Sequence, residues 1–258
     1  MNKEYDLIVI GSGPAGEKGA TQAGYFGLKV AIVELELAVG GAAANTGTLP
    51  SKTLRETALM LSGFRSRKLH GVDLSIRRKA TIDDFLHHCR QVTAFETKRL
   101  ETNFGDHGVD VIYGEATFLR ENIVQVQRAD GTTTQLQAKK VLIATGSSPR
   151  RPAEFPFDSP LVFDSDTILD MTCLPEKMLV IGGGVIGSEY ACTFAALGVD
   201  VTVIDRRDRL LSFLDPDVCE ALHDGMKNLG MRIVADAEIS SSAATESEIS
   251  VTLSTKER

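Results

Sequence analysis

The 258 residues predict an α/β protein in which one strand–helix–strand unit occurs twice. In the first unit the apolar run Asp6–Ile10 leads directly into Gly11-Ser12-Gly13-Pro14-Ala15-Gly16. A helical pattern follows from Pro14 to about Phe26, and then a second apolar run, Lys29–Val33, closes on Glu34. The same series returns further along. Lys177–Ile181 leads into Gly182-Gly183-Gly184-Val185-Ile186-Gly187, a helical stretch runs to about Leu197, and Asp200–Ile204 closes on Asp205. Gly11 and Gly182, Gly13 and Gly184, Gly16 and Gly187, Ala20 and Ala191, Gly27 and Gly198, Val30 and Val201, and Glu34 and Asp205 are all 171 positions apart, so the repeat contains no gap. A lone Gly-x-Gly-x-x-Gly is a weak signal, but two of them in matching context are specific. Together they predict two Rossmann-like dinucleotide-binding domains.

Each position in the motif has a physical job. The first glycine permits a tight turn, the second lets backbone approach a pyrophosphate, and the third lets helix and strand pack closely. The helix N-terminus adds unpaired N–H groups and the positive end of its dipole. The acid closing the second strand stands where a carboxylate accepts ribose hydroxyls. Between the units, Thr81 to about Phe104 carries Phe85, Leu86, Cys89, Val92 and Phe95 at helical spacing, which predicts a long amphipathic helix packed on the first domain. Val109–Tyr113, Ala116–Leu119, Ile123–Gln127, Thr132–Gln137 and Lys140–Ile143 predict strands, with a hairpin turn at Asp130-Gly131. Ser147–Pro160, with four prolines and two arginines, predicts the linker between domains, and Ile249–Leu253 a last strand.

Composition narrows the function classes. A formal charge of −7 gives no electrostatic reason for a nucleic-acid partner. No run of 18 apolar residues and no cleavable signal pattern is present, which predicts a cytoplasmic protein without a membrane partner. Cys89, Cys173, Cys192 and Cys219 have no CxxC spacing and read as free thiols; His87 and His88 form no recognised ligand set, so no metal site is predicted.

Three segments resemble the flavoprotein disulfide reductases that bind two dinucleotides, the class I pyridine nucleotide-disulfide oxidoreductases. Gly40-Gly41-Ala42-Ala43-Ala44-Asn45-Thr46-Gly47-Thr48-Leu49-Pro50-Ser51-Lys52 resembles that family's GGxCxNxGCxPSK segment, Ala144-Thr145-Gly146 its ATG segment, and Gly182 to Glu189 its NAD(P) site. The resemblance implies an FAD-binding domain at 1–150, incomplete, and an NAD(P)-binding domain at 151–258, truncated, with the family's C-terminal part absent and a homodimer in the complete protein. It implies FAD, NAD(H) and NADP(H) as cofactors, nicotinamide dinucleotides as partners, and Glu34 as the FAD ribose ligand. Backbone around Gly114-Glu115-Ala116 would contact adenine. Lys52 would lie near flavin N5, where a cation stabilises the charge that develops on reduction, and Glu189 is expected to pair with Lys52, buried, across the domain boundary.

The departure lies at the redox dithiol. Ala43 and Thr48 occupy the two cysteine positions, so mixed-disulfide chemistry is predicted to be lost while hydride exchange between nicotinamide and flavin, which needs no thiol, remains. Asn45 to Glu56, Phe163 to Leu169 and Arg207 to Asp215 resemble the family's branch of soluble pyridine-nucleotide transhydrogenases, which pass hydride between NADH/NAD and NADPH/NADP through FAD. Ala43 departs from that branch too, which usually keeps the first cysteine. The alternatives are a dihydrolipoamide dehydrogenase-like reductase with its cysteines replaced, or a non-catalytic nucleotide-binding fragment. Asp205 favours the free 2′-hydroxyl of NAD, and Arg206 beside it could take the 2′-phosphate of NADP, although Arg206 and Arg207 also fit a solvated loop with Asp208 and Arg209.

Overall fold

A computed structural model describes residues 3–62 and 81–255. The chain forms two compact units, one of residues 1–50 with 90–148, the other of residues 51–89 with 149–258.

The first unit holds a six-stranded sheet in the order β3-β2-β1-β6-β5-β4. Its strands are β1 (Lys3–Ile10), β2 (Val30–Glu34), β3 (Val109–Tyr113), β4 (Glu115–Arg120), β5 (Ile123–Gln127) and β6 (Thr133–Ile143). β1 pairs in parallel with β2 and β6, and β2 with β3, while β5 runs antiparallel to β4 and β6. Side chains alternate between two cores, as the pleat requires. Ile8, Ala31 and Val33 join Val124, Leu136 and Ala138 on one face, whereas Val9, Val30 and Ile32 meet Ala20, Leu100 and Phe104 on the other. Every residue of β2 is buried, the mark of a parallel strand covered on both faces. The sequence predicts two strands at 132–137 and 140–143; the structure has one. Leu136 and Ala138 keep the alternation going through the expected break, and β6 stays registered on β1 from Leu136 to Ile143.

The second unit carries β7 (Lys177–Ile181), β8 (Asp200–Ile204) and β9 (Arg232–Val234) as a parallel sheet, and a hairpin of β10 (Ala237–Ala244) and β11 (Ile249–Thr255). Helix α1 (Pro14–Tyr25) follows β1, and α5 (Val185–Ala196) follows β7. Between them lie α2 (Gly41–Asn45), α3 (Thr48–Leu61) and α4 (Ile82–Asp106), and α6 (Pro216–Asn228) precedes β9. The core of this unit contains Leu54 and Ala58 of α3 and Phe85, Leu86 and Cys89 of α4 beside Tyr190, Ala191 and Phe194 of α5. Leu54, Ala58, Phe85, Leu86 and Cys89 therefore pack in the second unit, whereas the sequence places them in the first. On α4, Leu100 and Phe104 join the first unit's core, and the turn around Val92 enters neither cluster. Phe95, predicted on the packed face, is consequently 72% exposed.

The predicted linker is anchored as well. The Arg151 Nε donates to Asp164 Oδ2 at 2.6 Å, and its guanidinium lies over the Phe157 ring at 5.7 Å. Asp164 Oδ1 also accepts the N–H groups of Asp166 and Thr167 at the start of a 3-10 turn at Thr167–Asp170.

Candidate dinucleotide sites

The two Gly-x-Gly-x-x-Gly turns have the same hydrogen-bond pattern, position by position. Gly11 donates its N–H to Val33 O at 2.8 Å, and Gly182 to Ile204 O at 2.8 Å. Each has positive φ, 99° and 100°. Gly13 and Gly184 are the N-cap residues of α1 and α5, and neither helix has a side-chain cap. The third glycines pack: a Cβ on Gly16 would collide with the carbonyl of Gly11, and one on Gly187 with the carbonyl of Gly182. The second glycines are open. A Cβ on Gly184 would meet no atom within 4 Å, and one on Gly13 only the Cα of Gly41 at 3.9 Å. These uncapped helix starts beside open backbone fit a pyrophosphate.

The closing acids clamp the turns. Glu34 Oε2 accepts the N–H and the hydroxyl of the fully buried Ser12, and Oε1 accepts Glu36 N–H at 2.9 Å. Asp205 does the same: Oδ2 accepts Gly183 N–H at 2.6 Å and Oδ1 accepts Arg207 N–H at 2.9 Å. Asp205 has a further partner, because Arg207 donates from Nε to Oδ1 at 3.0 Å and from Nη2 to Oδ2 at 2.8 Å. Burial pushes the Asp205 carboxyl up, but the Arg207 side chain and the two backbone N–H groups outweigh it and hold it below the ordinary carboxylate range. A carboxyl depressed in the folded state adds stability above the ordinary Asp value of about 4 and loses it as pH falls through the folded value. Urea midpoints between pH 6 and 3 should therefore fall less steeply in Asp205→Asn than in the parent chain; equal slopes would remove Asp205 from the acid limb.

Around the first turn, Gly40 donates to Ser12 Oγ at 2.9 Å, and Gly41, at φ 55°, lies against Gly13. Ala43, Ala44, Thr48 and Leu49 border, with Ser12 and Pro14, a cavity of about 110 Å³. Ala42 is the next residue of α2, and Ala15 belongs to the first turn of α1. Ala144 donates its N–H to Ile10 O at 2.8 Å, bringing Ala144-Thr145-Gly146 beside Gly11. Gly114 donates to Glu34 O at 2.8 Å, so β4, whose second residue is Ala116, starts next to the end of β2. In the second unit Val185 and Ile186 are 58% and 57% exposed at the start of α5, and Ser188 Oγ is buried with no hydrogen-bond partner.

Lys52 Nζ lies 2.6 Å from Glu189 Oε1. The pair forms, but within the second unit rather than across a boundary, because the apolar face of α3 packs into that unit's core. Nor is it buried, since the Lys52 side chain is 61% exposed. An exposed pair contributes about 1 kcal/mol or less to stability. Arg206, the predicted phosphate ligand, is exposed, while its neighbour Arg207 makes the ion pair with Asp205. Sequence reasoning sets Arg207 in a solvated loop and does not identify it as the partner of Asp205. Among the described residues no group of His, Cys, Asp or Glu could hold a metal ion, and no helix is long and apolar enough to cross a membrane.

Two Rossmann-like units with matching Gly-x-Gly-x-x-Gly turns define an α/β protein of the dinucleotide-binding fold type. Residues 5–258 match the family model described as pyridine nucleotide-disulphide oxidoreductase, and the chain belongs to that family. It is 42% identical over 230 residues to the soluble pyridine nucleotide transhydrogenase of Mycobacterium bovis (strain BCG / Pasteur 1173P2), covering 89% of this chain and 49% of that one. It is 37% identical over 250 residues to the protein of the same name from Colwellia psychrerythraea, covering 97% and 53%. The chain thus spans about half the length of the curated relatives it matches. Among solved structures, the Cu(II) complex of the HOCl-induced flavoprotein disulfide reductase RclA from Escherichia coli superposes with a TM-score of 0.84 at 27% identity, covering 98% of this chain and 53% of that one.

Proposed function

We propose that the first unit binds FAD and the second NAD(H) or NADP(H), and that the protein is an FAD-dependent oxidoreductase moving hydride between NADH/NAD and NADPH/NADP through flavin N5, without a redox-active disulfide. The observation that carries this reading is the duplicated turn, in which an acid clamps the middle residue of Gly-x-Gly under an uncapped helix start. Similarity to proteins named as transhydrogenases supports the choice of reaction.

When bound, the nicotinamide and flavin supply hydride donor and acceptor. The chain's own residues bind and orient. Backbone N–H groups at the starts of α1 and α5 take the pyrophosphates, Glu34 holds ribose, and the apolar Val185 and Ile186 border the second dinucleotide. Lys52, held by Glu189, would supply a cation able to offset the negative charge that a bound flavin gains with hydride. Ala43 and Thr48 present no thiol at the cavity they share, and burial pushes the Cys192 thiol up, away from the reactive thiolate. The purified protein should show a flavin spectrum, bleached by NADPH, restored by thio-NAD, and bleached more slowly in Lys52→Ala. A colourless protein that binds no nucleotide would sink the reading.

A further inference from the structure

The middle residue of each Gly-x-Gly turn is tied twice, once to the closing acid and once to the loop beyond that acid. In the second unit Gly183 makes both ties through its backbone: its N–H donates to Asp205 Oδ2 at 2.6 Å, and its carbonyl accepts the N–H of Leu211, at φ 48°, at 3.1 Å. A side chain has no room there, because a Cβ on Gly183 would collide with Leu210. In the first unit the counterparts at the same 171-residue offset are Ser12, Val39 and Gly40, so valine replaces leucine and the turn carries a hydroxyl. Gly40, at φ 110°, donates its N–H to Ser12 Oγ at 2.9 Å, and that hydroxyl donates to Glu34 Oε2, which also accepts Ser12 N–H at 2.9 Å. Ser12 is fully buried. A hydroxyl has one hydrogen and a carboxylate only accepts, so the direction is fixed: Gly40 donates to Ser12, and Ser12 to Glu34.

We propose that Ser12 is a positioning residue that couples Glu34 to α2, so that a ribose on Glu34 fixes the segment in which Ala43 and Ala44 border the cavity. The proposal rests on the reading that the first unit holds a dinucleotide. Both donors of Ser12 fall on Glu34 Oε2, while Oε1 accepts Glu36 N–H at 2.9 Å and keeps one acceptor site. A ribose hydroxyl donating to that site pins Oε1, which keeps Oε2 on Ser12 and, through the hydroxyl, keeps Gly40 in place. Hydrogen bonds chained in one direction also strengthen one another. The next link is steric, because Gly41, at φ 55°, lies so close to Gly13 that a Cβ on it would come within 2.9 Å of the Gly13 Cα. Helix α2 has five residues and no side-chain cap, too few to be stable without outside support. Asn45 anchors its far end, with Nδ2 donating to Val39 O at 3.1 Å and Gly41 O at 3.2 Å. Ser12 supplies the side-chain hold at its start.

Hydrogen exchange of the whole chain with saturating ADP or 2′,3′-dideoxy-ADP, which lacks the ribose hydroxyls, tests this without flavin or turnover. ADP should slow exchange in peptides spanning Gly40–Gly47 at least about fivefold, the lower end of ordinary coupling between sites, and should also protect the turn, Gly11–Glu17. The dideoxy analogue should protect the turn alone. In Ser12→Ala, ADP should still protect the turn while its effect on Gly40–Gly47 falls to about twofold or less. Ser12→Cys, of the same shape but a weaker donor and acceptor, should lie between Ala and the parent. The two probes in the parent chain carry the test even where Ser12→Ala does not fold. A merely structural role would loosen Gly40–Gly47 equally with and without ADP and leave the ADP-dependent difference unchanged. That result, or equal protection of Gly40–Gly47 by the two probes, overturns the proposal. ADP that leaves Gly11–Glu17 unprotected in the parent overturns the reading of the first unit itself, and the proposal with it.

Discussion

Gly16→Ala and Gly187→Ala should each unsettle their unit by on the order of 3 kcal/mol, whereas Gly184→Ala leaves the fold standing and removes nucleotide binding. At Gly16 the added methyl would overlap the Gly11 carbonyl, with the carbonyl carbon at 2.9 Å and Val9 Cγ1 at 3.3 Å. At Gly187 the same overlap falls on Gly182, with the carbonyl carbon at 3.2 Å and Val180 Cγ1 at 3.3 Å. The obstacle is backbone in both cases and has no rotamer to escape into, so helix and strand must move apart. Alanine's better helix propensity returns only about 1 kcal/mol, too little to offset this. For a chain of this size a net loss of roughly 2 kcal/mol lowers the melting temperature by about 4–8 °C. At Gly184 the methyl would enter open space, where it costs the fold about what a poor N-cap does, up to about 1 kcal/mol, but stands where a pyrophosphate must approach. Melting curves of the three variants, with nucleotide titrations of each, separate packing glycines from binding ones. Equal melting temperatures would refute the packing role.

That division was half legible in the sequence. The motif fixes which glycines matter, and β7 and β8 match their predicted ranges to the residue because an apolar run between polar ends has clear limits. The partner of Asp205 was not legible from the motif, because whether Arg206 or Arg207 turns back onto the acid depends on loop geometry set by Asp236 and Leu211. The long helix shows the same limit. Its periodicity reveals an apolar face but not what covers it, and α4 gives Phe85 to one core and Phe104 to the other. Helix α6 went unread although its pattern was legible: Pro216 stands at its start after Asp215, and Cys219, Leu222 and Met226 fall at helical spacing on the side that meets the core.

Phe194→Ala should cost the second unit about 3–5 kcal/mol, the range for a buried aromatic truncated in a core that cannot collapse around the gap. Phe194 is 1% exposed and meets Phe85, 0% exposed, edge to face, with ring centroids 5.7 Å apart and planes at 64°. The contact joins α5, which carries Glu189 and begins at the Gly184 turn, to the first turns of α4, so the loss reaches the site through the helix that forms it. The surrounding side chains, Leu54, Leu86 and Met226, are themselves fully or almost fully buried, and none can fill a phenyl-sized void without opening another. Hydrogen exchange by mass spectrometry should show protection falling in β7, β8 and α5 while β1 and β2, whose cores exclude Phe194, keep theirs. Uniform loss across both sheets would mean that the two units unfold as one cooperative block. Phe194→Leu, which keeps most of the volume, should recover more than half of the lost stability.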